Sequence, residues 1–159
     1  MRKLAVSLCF SLLLMGGAQA QPACPAAPGG SGASVTSATA SPELEPARLM
    51  LEQAATVTLY PVGEVRFVSA PAKRASASSY GGMLAVDVRE AGTYQVSLSA
   101  GAWIDVLKDG IEVASSTHEH GEGCAGFAKI VSFPLQPGRH VIQLSGNKDD
   151  TIRVMVDRK

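Results

Sequence analysis

The chain has 159 residues, of which 14 are basic, 14 are acidic and only 5% are aromatic. No segment concentrates basic residues, so the composition disfavours nucleic-acid binding, which needs a positive surface and often stacking rings. Attachment to anionic lipid is disfavoured for the same reason. The length is enough for one domain with its own buried core.

The first twenty residues have the features of a secretory signal peptide. Two basic residues precede the apolar run LAVSLCFSLLLM, which is too short to cross a bilayer, and Ala18 and Ala20 supply the A-x-A cleavage pattern. We therefore expect residues 1–20 to be removed on export. The remaining protein is then periplasmic or secreted, has no second hydrophobic span to anchor it, and carries 12 basic against 14 acidic residues.

The segment after the signal peptide predicts a flexible leader. Residues 21–42 consist mostly of Pro, Gly, Ala, Ser and Thr, and they offer little apolar surface to bury. The stretch PELEPARLMLEQAA (42–55) is the one segment with the pattern of a short helix, although Pro46 limits it. We predict that the folded domain covers residues 43–159.

Cysteine usage predicts one disulfide. Cys9 leaves with the signal peptide, so Cys24 and Cys124 remain as a pair in a compartment that oxidises thiols. Their bridge would close a loop of about 100 residues and, in the chain-entropy model, would stabilise the fold by about 4–5 kcal/mol. It would also attach the leader to the histidine-containing loop HEHGEGC.

From Thr56 onward the sequence alternates apolar and polar residues with the period of β-strands. Nine such segments are separated by turn signals such as EAGT, KDGI, QPGR and GNKDD. They span 56–60, 64–69, 83–90, 93–100, 102–110, 111–117, 128–135, 140–146 and 151–157. Asp109 and Gly110 suit a two-residue type I′ hairpin, because both central positions of that turn take positive φ. The pattern predicts an all-β fold, a single β-sandwich of jelly-roll type with about nine strands.

Two segments, 91–107 and 137–155, repeat one plan: a glycine turn, a ring side chain, a β-branched residue and Leu-Ser. Tyr94 in the first copy and His140 in the second occupy equivalent positions. The ring side chain and the apolar residues at the next two alternate positions share one strand face, which we predict to face the core. His140 is then expected in an ordinary half-buried position beside a turn, and not as a metal ligand.

The second copy, IVSFPLQPGRHVIQLSG followed by IRVMV, resembles the C-terminal half of bacterial pre-peptidase domains, which are small secreted jelly-roll modules. This resemblance covers about residues 50–157 and implies the fold more than the function. The chain is also similar to small exported bacterial proteins that share SYGG, GAWIDV, an H-x-H-G segment followed by Cys, and PGR. Members of that group often bear the name homogentisate 1,2-dioxygenase, which implies an iron-dependent oxygenase.

His118 and His120 are the side chains that most resemble a metal site. Because they are two apart on an extended segment, their rings point to the same side, about 7 Å apart at the backbone. This spacing suits Zn²⁺ or Cu²⁺, with Glu122 or Cys124 as a further ligand unless a disulfide removes the Cys124 thiolate. The alternative is a polar, glycine-rich loop whose histidines face solvent, because two ligands rarely hold a metal unaided.

The sequence gives little support for an enzyme. The serines include no G-x-S-x-G nucleophile elbow. Asp87 and Asp105 alternate with apolar residues, so we expect them on the solvated outer face of strands instead of in a catalytic carboxylate pair. An oxygenase of the kind that the resemblance implies would need iron held by His118, His120 and Glu122. Fe²⁺ survives poorly in an oxidising compartment.

Trp103, the single tryptophan, is either a core anchor or, together with Tyr80, a stacking platform on an exposed rim. The segment KRASASSYGGM (73–83) would line that rim, since loops placed by a rigid sandwich often hold binding sites. We therefore expect an exported, non-enzymatic binding or accessory module. Its ligand is a divalent transition metal at the H-x-H loop or, alternatively, a sugar, peptide or envelope protein at the Tyr80/Trp103 rim.

Overall fold

The computed structural model describes residues 34–121 and 126–159, and nearly all of its regular elements are β-strands. In chain order the strands are β1 (Ser34–Ser37), β2 (Ala47–Leu49), β3 (Ala55–Thr58), β4 (Tyr60–Pro61), β5 (Tyr80–Val88), β6 (Gly92–Leu98), β7 (Trp103–Lys108), β8 (Ile111–Glu112), β9 (Thr117–His120), β10 (Lys129–Leu135), β11 (Gly138–Asn147) and β12 (Thr151–Arg158). They form two sheets packed face to face. The predicted all-β sandwich is therefore confirmed, with additional short strands at its edges.

The two sheets share the strands almost equally. Sheet A has the order β1-β3-β12-β6-β10-β9, and sheet B has the order β2-β5-β11-β7-β8, with β4 paired to the start of β5. β1 and β2 run parallel to their neighbours, whereas the long strands pair antiparallel. The chain passes from one sheet to the other at each step from β5 to β7 and from β10 to β12. Both sheets therefore depend on strands that are distant in sequence.

The core lies between the sheets, where every second residue of each long strand points inward. Among the side chains that are fully shielded from solvent are Val57, Leu84, Val86, Val96, Leu98, Val106, Leu144, Val154 and Val156. Burial of each such side chain stabilises the fold by about 1.5–3 kcal/mol relative to its exposure. Tyr94 and His140, the ring side chains of the two repeated segments, point to the predicted core face, and both are buried.

The turn between β7 and β8 has the predicted geometry. Asp109 has φ of 52° and Gly110 has φ of 78°, and the flanking Lys108 and Ile111 pair across the turn. Two consecutive positive φ angles are the signature of a type I′ turn, whose twist matches that of the strands it joins. The prediction from the Asp-Gly pair is therefore confirmed.

Residues 62–79, here called the strap, leave the β4–β5 hairpin and cover the outer face of sheet B. The two ends of the strap meet where the Val62 amide donates to the Ser79 carbonyl, at 2.8 Å. Between them, the Gln143 side chain of β11 donates to the Ser69 carbonyl at 3.0 Å and accepts from the Ser69 amide at 3.2 Å. A buried side chain thus takes the place of a strand partner for the strap.

The strap also explains why the strand predicted at 64–69 is wrong. Val65 is buried, and the Phe67 ring lies over Gly81, where an added β-carbon would come within 3.2 Å of it. The alternating apolar side chains of this segment pack onto the outer face of sheet B, and its backbone does not form a strand. Beneath them, Met83 and Leu107 on the outer face of sheet B are shielded from solvent.

Two short edge strands differ from the predictions for the N-terminal part. β1 lies within the predicted flexible leader and pairs in parallel with β3, and β2 lies within the predicted helix and pairs in parallel with β5. Backbone hydrogen bonds to an existing sheet edge hold both segments, so that few apolar side chains are needed. Ala38 and Leu49 are buried, and the folded domain therefore begins before residue 43.

The one helical element in residues 34–121 and 126–159 is a single 3-10 turn at Val62–Glu64. Accordingly, this part of the chain contains no helix of the length and apolar character needed to cross a membrane.

Candidate functional site

The predicted histidine pair lies on an exposed edge strand. β9 forms the edge of sheet A beyond β10, with His118 opposite Val131 and His120 opposite Lys129. Both imidazoles lie on one face of the strand because strand side chains alternate. All four residues of β9 are exposed, and His118 Nε2 lies 3.5 Å from Ser115 Oγ. The structure therefore brings the two rings to the same accessible surface.

The described residues supply only part of the predicted metal site. Within 34–121 and 126–159, no group of three His, Cys, Asp or Glu side chains could hold a metal ion. The proposed third ligand, Glu122, and both cysteines of the predicted bridge, Cys24 and Cys124, lie outside the described residues. Two imidazoles alone do not form the two-His, one-carboxylate set of an iron oxygenase. The bridge and the third ligand stay predictions.

His140 is fully buried, not half-buried as its position beside a turn suggested. Its Nδ1 lies 3.2 Å from the Gly138 carbonyl, and its Nε2 has no hydrogen-bond partner among the described residues. Burial lowers the pKa of the imidazole, and the nearby Lys108 ammonium adds to this, while the Gly138 carbonyl and Asp109 oppose it. A neutral imidazole suits this buried position. The equivalent residue of the first repeat, Tyr94, is also a buried ring side chain.

The structure does not combine Tyr80 and Trp103 into one rim. Tyr80 shares the inward face of β5 with Leu84 and packs against the core. Trp103 lies on the outer face of β7, since Ile104, the next residue, points into the core. The two aromatic rings therefore belong to opposite faces of sheet B, and Trp103 is half-buried beneath the strap.

Trp103 lines a cavity of about 330 Å³ between the strap and the end of the sandwich, here called the Trp103 cavity. Its other walls are strap residues 73–76, Gly101, Lys129, Ser145 and Gly146. The Lys129 ammonium lies 5.2 Å from the indole centroid and the Lys73 ammonium lies 5.9 Å from it. Such contacts between a cation and a ring stabilise the cation by about 0.5–1 kcal/mol or more.

Asp105 holds the Trp103 ring in the cavity wall, and it is buried, not solvated as predicted. It does point to the outer face of β7, but the strap covers it and leaves it 5% exposed. Its carboxylate accepts from Trp103 Nε1 at 2.8 Å and from the Ala72 amide at 3.4 Å. The carboxylate therefore holds the indole ring and the strap together. Asp87, in contrast, is exposed as predicted and pairs with Arg48 at 3.0 Å.

The electrostatics of the Trp103 cavity are strongly positive. Lys73, Arg74 and Lys129 all reach it, and among the described residues no carboxylate lies within 4.0 Å of their side-chain nitrogens. Lys129 Nζ donates to the Ala102 carbonyl at 2.7 Å. Burial lowers the pKa of Lys129, the Lys73 ammonium lowers it further, and the Asp105 carboxylate opposes both. The cavity thus gathers three cations near a single carboxylate, Asp105.

A buried hydroxyl adds to this arrangement. Ser145 is 1% exposed, and its Oγ has no hydrogen-bond partner among the described residues. It stands opposite Trp103 in the β11–β7 pairing and lies in the wall of the cavity. Buried polar groups without partners are uncommon in native proteins, and an ordered water or ligand is a common explanation.

The sequence pointed to part of this cavity and missed the rest. Trp103 and the segment that begins at Lys73 were predicted to line a binding rim, and both lie in the cavity wall. Lys129 was missed, although it occupies the first inward position of a strand whose next inward residues, Val131 and Phe133, are buried. A lysine in phase with core residues is the signal in the sequence that could have revealed it.

Comparison with known proteins supplies no family for this chain. No protein-family model matches it. A search of curated proteins likewise finds no match. The functional assignment therefore depends on the side chains of the two candidate sites, the exposed histidine pair and the Trp103 cavity.

Proposed function

We propose that this protein is an exported, non-enzymatic binding module and that the Trp103 cavity holds a small anionic ligand. The observation that supports this proposal is the convergence of Lys73, Arg74 and Lys129 on one cavity, where none of the three forms an ion pair with a carboxylate of the described residues. The one carboxylate nearby, Asp105, accepts instead from Trp103 Nε1 and the Ala72 amide. The proposal develops the predicted ligand rim, with a set of residues around Trp103 that replaces Tyr80.

The charge arrangement favours an anion for an energetic reason. Like charges repel, and a partly buried ammonium loses hydration that its surroundings must replace. The lowered pKa of Lys129, caused first by burial and then by the Lys73 ammonium, reflects this cost. A bound anion reverses both effects, because it attracts all three cations at once and replaces the lost hydration of Lys129.

The cavity also offers the right hydrogen-bond donors. The Arg74 guanidinium presents a planar fork that matches the two oxygens of a carboxylate, phosphate or sulfate. Lys73 and Lys129 add ammonium donors, and the Ser145 hydroxyl adds a neutral donor in the cavity wall. A volume of about 330 Å³ suits a small ligand, since ligand pockets span roughly 300–1,000 Å³.

The single tryptophan provides a direct test. Sodium sulfate is titrated into the purified protein at constant ionic strength, with chloride as the balancing anion, and Trp103 fluorescence is recorded. We expect a saturable change in the wild type and at least ten-fold weaker binding in the Lys73→Met/Arg74→Met variant. The matched control is Arg89→Met/Lys159→Met, which removes two exposed cations outside the cavity. Equal sulfate affinities in the wild type and both variants would contradict the proposal.

The exposed histidine pair supports a second candidate function, the binding of a divalent transition metal. The observation in its favour is that His118 and His120 lie side by side on the accessible face of β9, where neither ring is buried. Imidazole nitrogen is a preferred ligand of Zn²⁺ and Cu²⁺. A third ligand from the adjacent segment, such as Glu122, would complete the site.

Calorimetry separates this second candidate from the first. Zn²⁺ and Cu²⁺ are titrated into the wild type and into the His118→Ala/His120→Ala variant. We expect stoichiometric binding that the variant loses, with Lys73→Met/Arg74→Met unchanged. Weak and equal heats in the wild type and the histidine variant would eliminate the metal candidate and leave the anion proposal unaffected.

A further inference from the structure

A second cavity adjoins the Trp103 cavity. It has a volume of about 240 Å³, is lined by Ala100 and Gly101 on one side and by residues 146–149 on the other, and is here called the Asn147 cavity. The two cavities share Gly101 and Gly146. An added β-carbon at Gly101 would meet no atom within 4 Å, and one at Gly146 would meet only the Ala75 methyl, at 3.9 Å. Open space therefore lies above the two glycines that the cavities share.

The Asn147 cavity offers hydrogen-bond acceptors. Asn147 is 1% exposed, and its Nδ2 donates to the Asp149 carbonyl at 2.7 Å and to the Thr151 carbonyl at 3.1 Å. These two carbonyls fix the orientation of the amide, because only its nitrogen can donate to them. Asn147 Oδ1 is left buried and without a hydrogen-bond partner among the described residues. It is an acceptor that a hydroxyl group on a ligand could satisfy.

The charge of the Asn147 cavity differs from that of its neighbour. Lys148 and Asp149 bring one charge of each sign to its wall, and both are exposed. This polar surface without net charge suits hydroxyl groups better than a second anion or a cation. The two cavities together therefore match a ligand with an anionic group at one end and hydroxyl groups at the other.

We infer that the ligand is an acidic carbohydrate, whose carboxylate lies among Lys73, Arg74 and Lys129 and whose hydroxyl groups extend over Gly101 into the Asn147 cavity. This inference rests on the proposed function of the Trp103 cavity and adds the class of the ligand. A saccharide with one acidic and one neutral ring offers one ring to each cavity.

The test compares four probes by calorimetry and Trp103 fluorescence: cellobiouronate, which has one uronate ring and one neutral ring, its neutral analogue cellobiose, sodium sulfate and L-glutamate. Gly101→Val places a side chain in the open space between the cavities, at a position without positive φ. Gly63→Val is the matched control, because an added β-carbon there also meets no atom within 4 Å and the residue lines neither cavity. Circular dichroism checks that both variants fold, and Gly101→Ala replaces Gly101→Val if that variant does not.

We expect the wild type to bind cellobiouronate at least ten-fold more tightly than sulfate and to show no saturable binding of cellobiose. Gly101 lines both cavities, so the ratio of the two affinities is the readout: Gly101→Val should lose the ten-fold advantage of the saccharide over sulfate, whereas Gly63→Val should keep it. Cellobiouronate affinity equal to that of sulfate, unchanged cellobiouronate affinity in Gly101→Val, or binding of glutamate tighter than that of cellobiouronate would overturn the carbohydrate inference. In each of these cases sulfate binding would leave the proposed function intact, whereas its absence would contradict the proposed function itself.

Discussion

The attachment of the strap to sheet B gives a sharp prediction about Gln143. Its side-chain amide is 1% exposed and makes both of its hydrogen bonds to the backbone of Ser69, 74 residues away in sequence. We expect Gln143→Leu to remove these bonds with little change in side-chain volume. The strap should then detach from the outer face of sheet B while the two-sheet core stays folded.

The size of the effect follows from the two hydrogen bonds. Each contributes about 0.5–1.5 kcal/mol net, and Ser69 is half-buried, so its freed amide and carbonyl regain part of their hydration when the strap lifts. We therefore expect a loss of about 1–3 kcal/mol in the free energy of unfolding. With a urea dependence of roughly 1–3 kcal/mol per molar for a small protein, the midpoint of urea unfolding should fall by about 1 M.

Urea unfolding and limited trypsin digestion together test this prediction. Arg66, Lys73 and Arg74 lie in the strap, so a detached strap should be cleaved there long before the sandwich is degraded. The matched control is Gln95→Leu, the same substitution at a half-buried site on β6. If Gln143→Leu unfolds at the same urea concentration as Gln95→Leu and its strap is cleaved no faster than that of the wild type, the side-chain attachment is not what holds the strap.

Three further predictions concern buried ionisable groups and a turn. The pKa of His140 is lowered in the folded state, so below the ordinary histidine value of 6.5 the unfolded chain binds more protons than the folded chain. The free energy of unfolding should therefore decrease as pH falls through this range, by at most about 1.4 kcal/mol per pH unit. His140→Phe should flatten this loss between pH 7 and pH 5, as measured by urea midpoints, and an unchanged slope would contradict the assignment. Lys129→Met should unfold at a urea concentration no lower than that of the wild type at pH 7, because burial disfavours the ammonium, and it should bind sulfate at least ten-fold more weakly. Gly110→Ala should lower the free energy of unfolding by about 1 kcal/mol because φ there is 78°, whereas Gly101→Ala, at a position without positive φ, should leave it nearly unchanged. Equal losses of stability in the two variants would refute the turn argument.

The long strands could be predicted because each carries its own alternation. In β6 and β11 the inward residues at every second position are apolar or ring side chains, and burial follows directly from that period. The edge strands β1 and β2 could not be predicted in this way, since their stability comes from backbone pairing to β3 and β5. Such pairing leaves almost no trace in composition. The predictions of a leader through residue 42 and of a helix at 42–55 missed β1 and β2 for that reason.

The candidate site was harder to predict than the fold because tertiary contacts assemble it. Trp103, Lys129 and Ser145 are far apart in sequence and meet only because β7 pairs with β11 and the strap folds over both. The outward phase of Asp105 predicted solvent exposure, and the strap reversed that outcome. A period-two pattern states which face of a strand a side chain occupies. It does not state whether another segment covers that face.

Lys129 shows most clearly how stability and binding oppose each other in this fold. Lys129 lies on the same face of β10 as Val131 and Phe133, which are both buried. An apolar side chain at position 129 would therefore stabilise the sandwich more than a lysine does. The ammonium instead loses hydration, donates to the Ala102 carbonyl, lies against the indole ring, and has both a second cation, Lys73, and the Asp105 carboxylate nearby. Stabilisation of the folded chain does not account for that choice. Anion binding accounts for the lysine at this position, because an anion replaces the interactions that the ammonium lost on burial. A charged group held in an unfavourable environment before binding gains the most free energy from its partner.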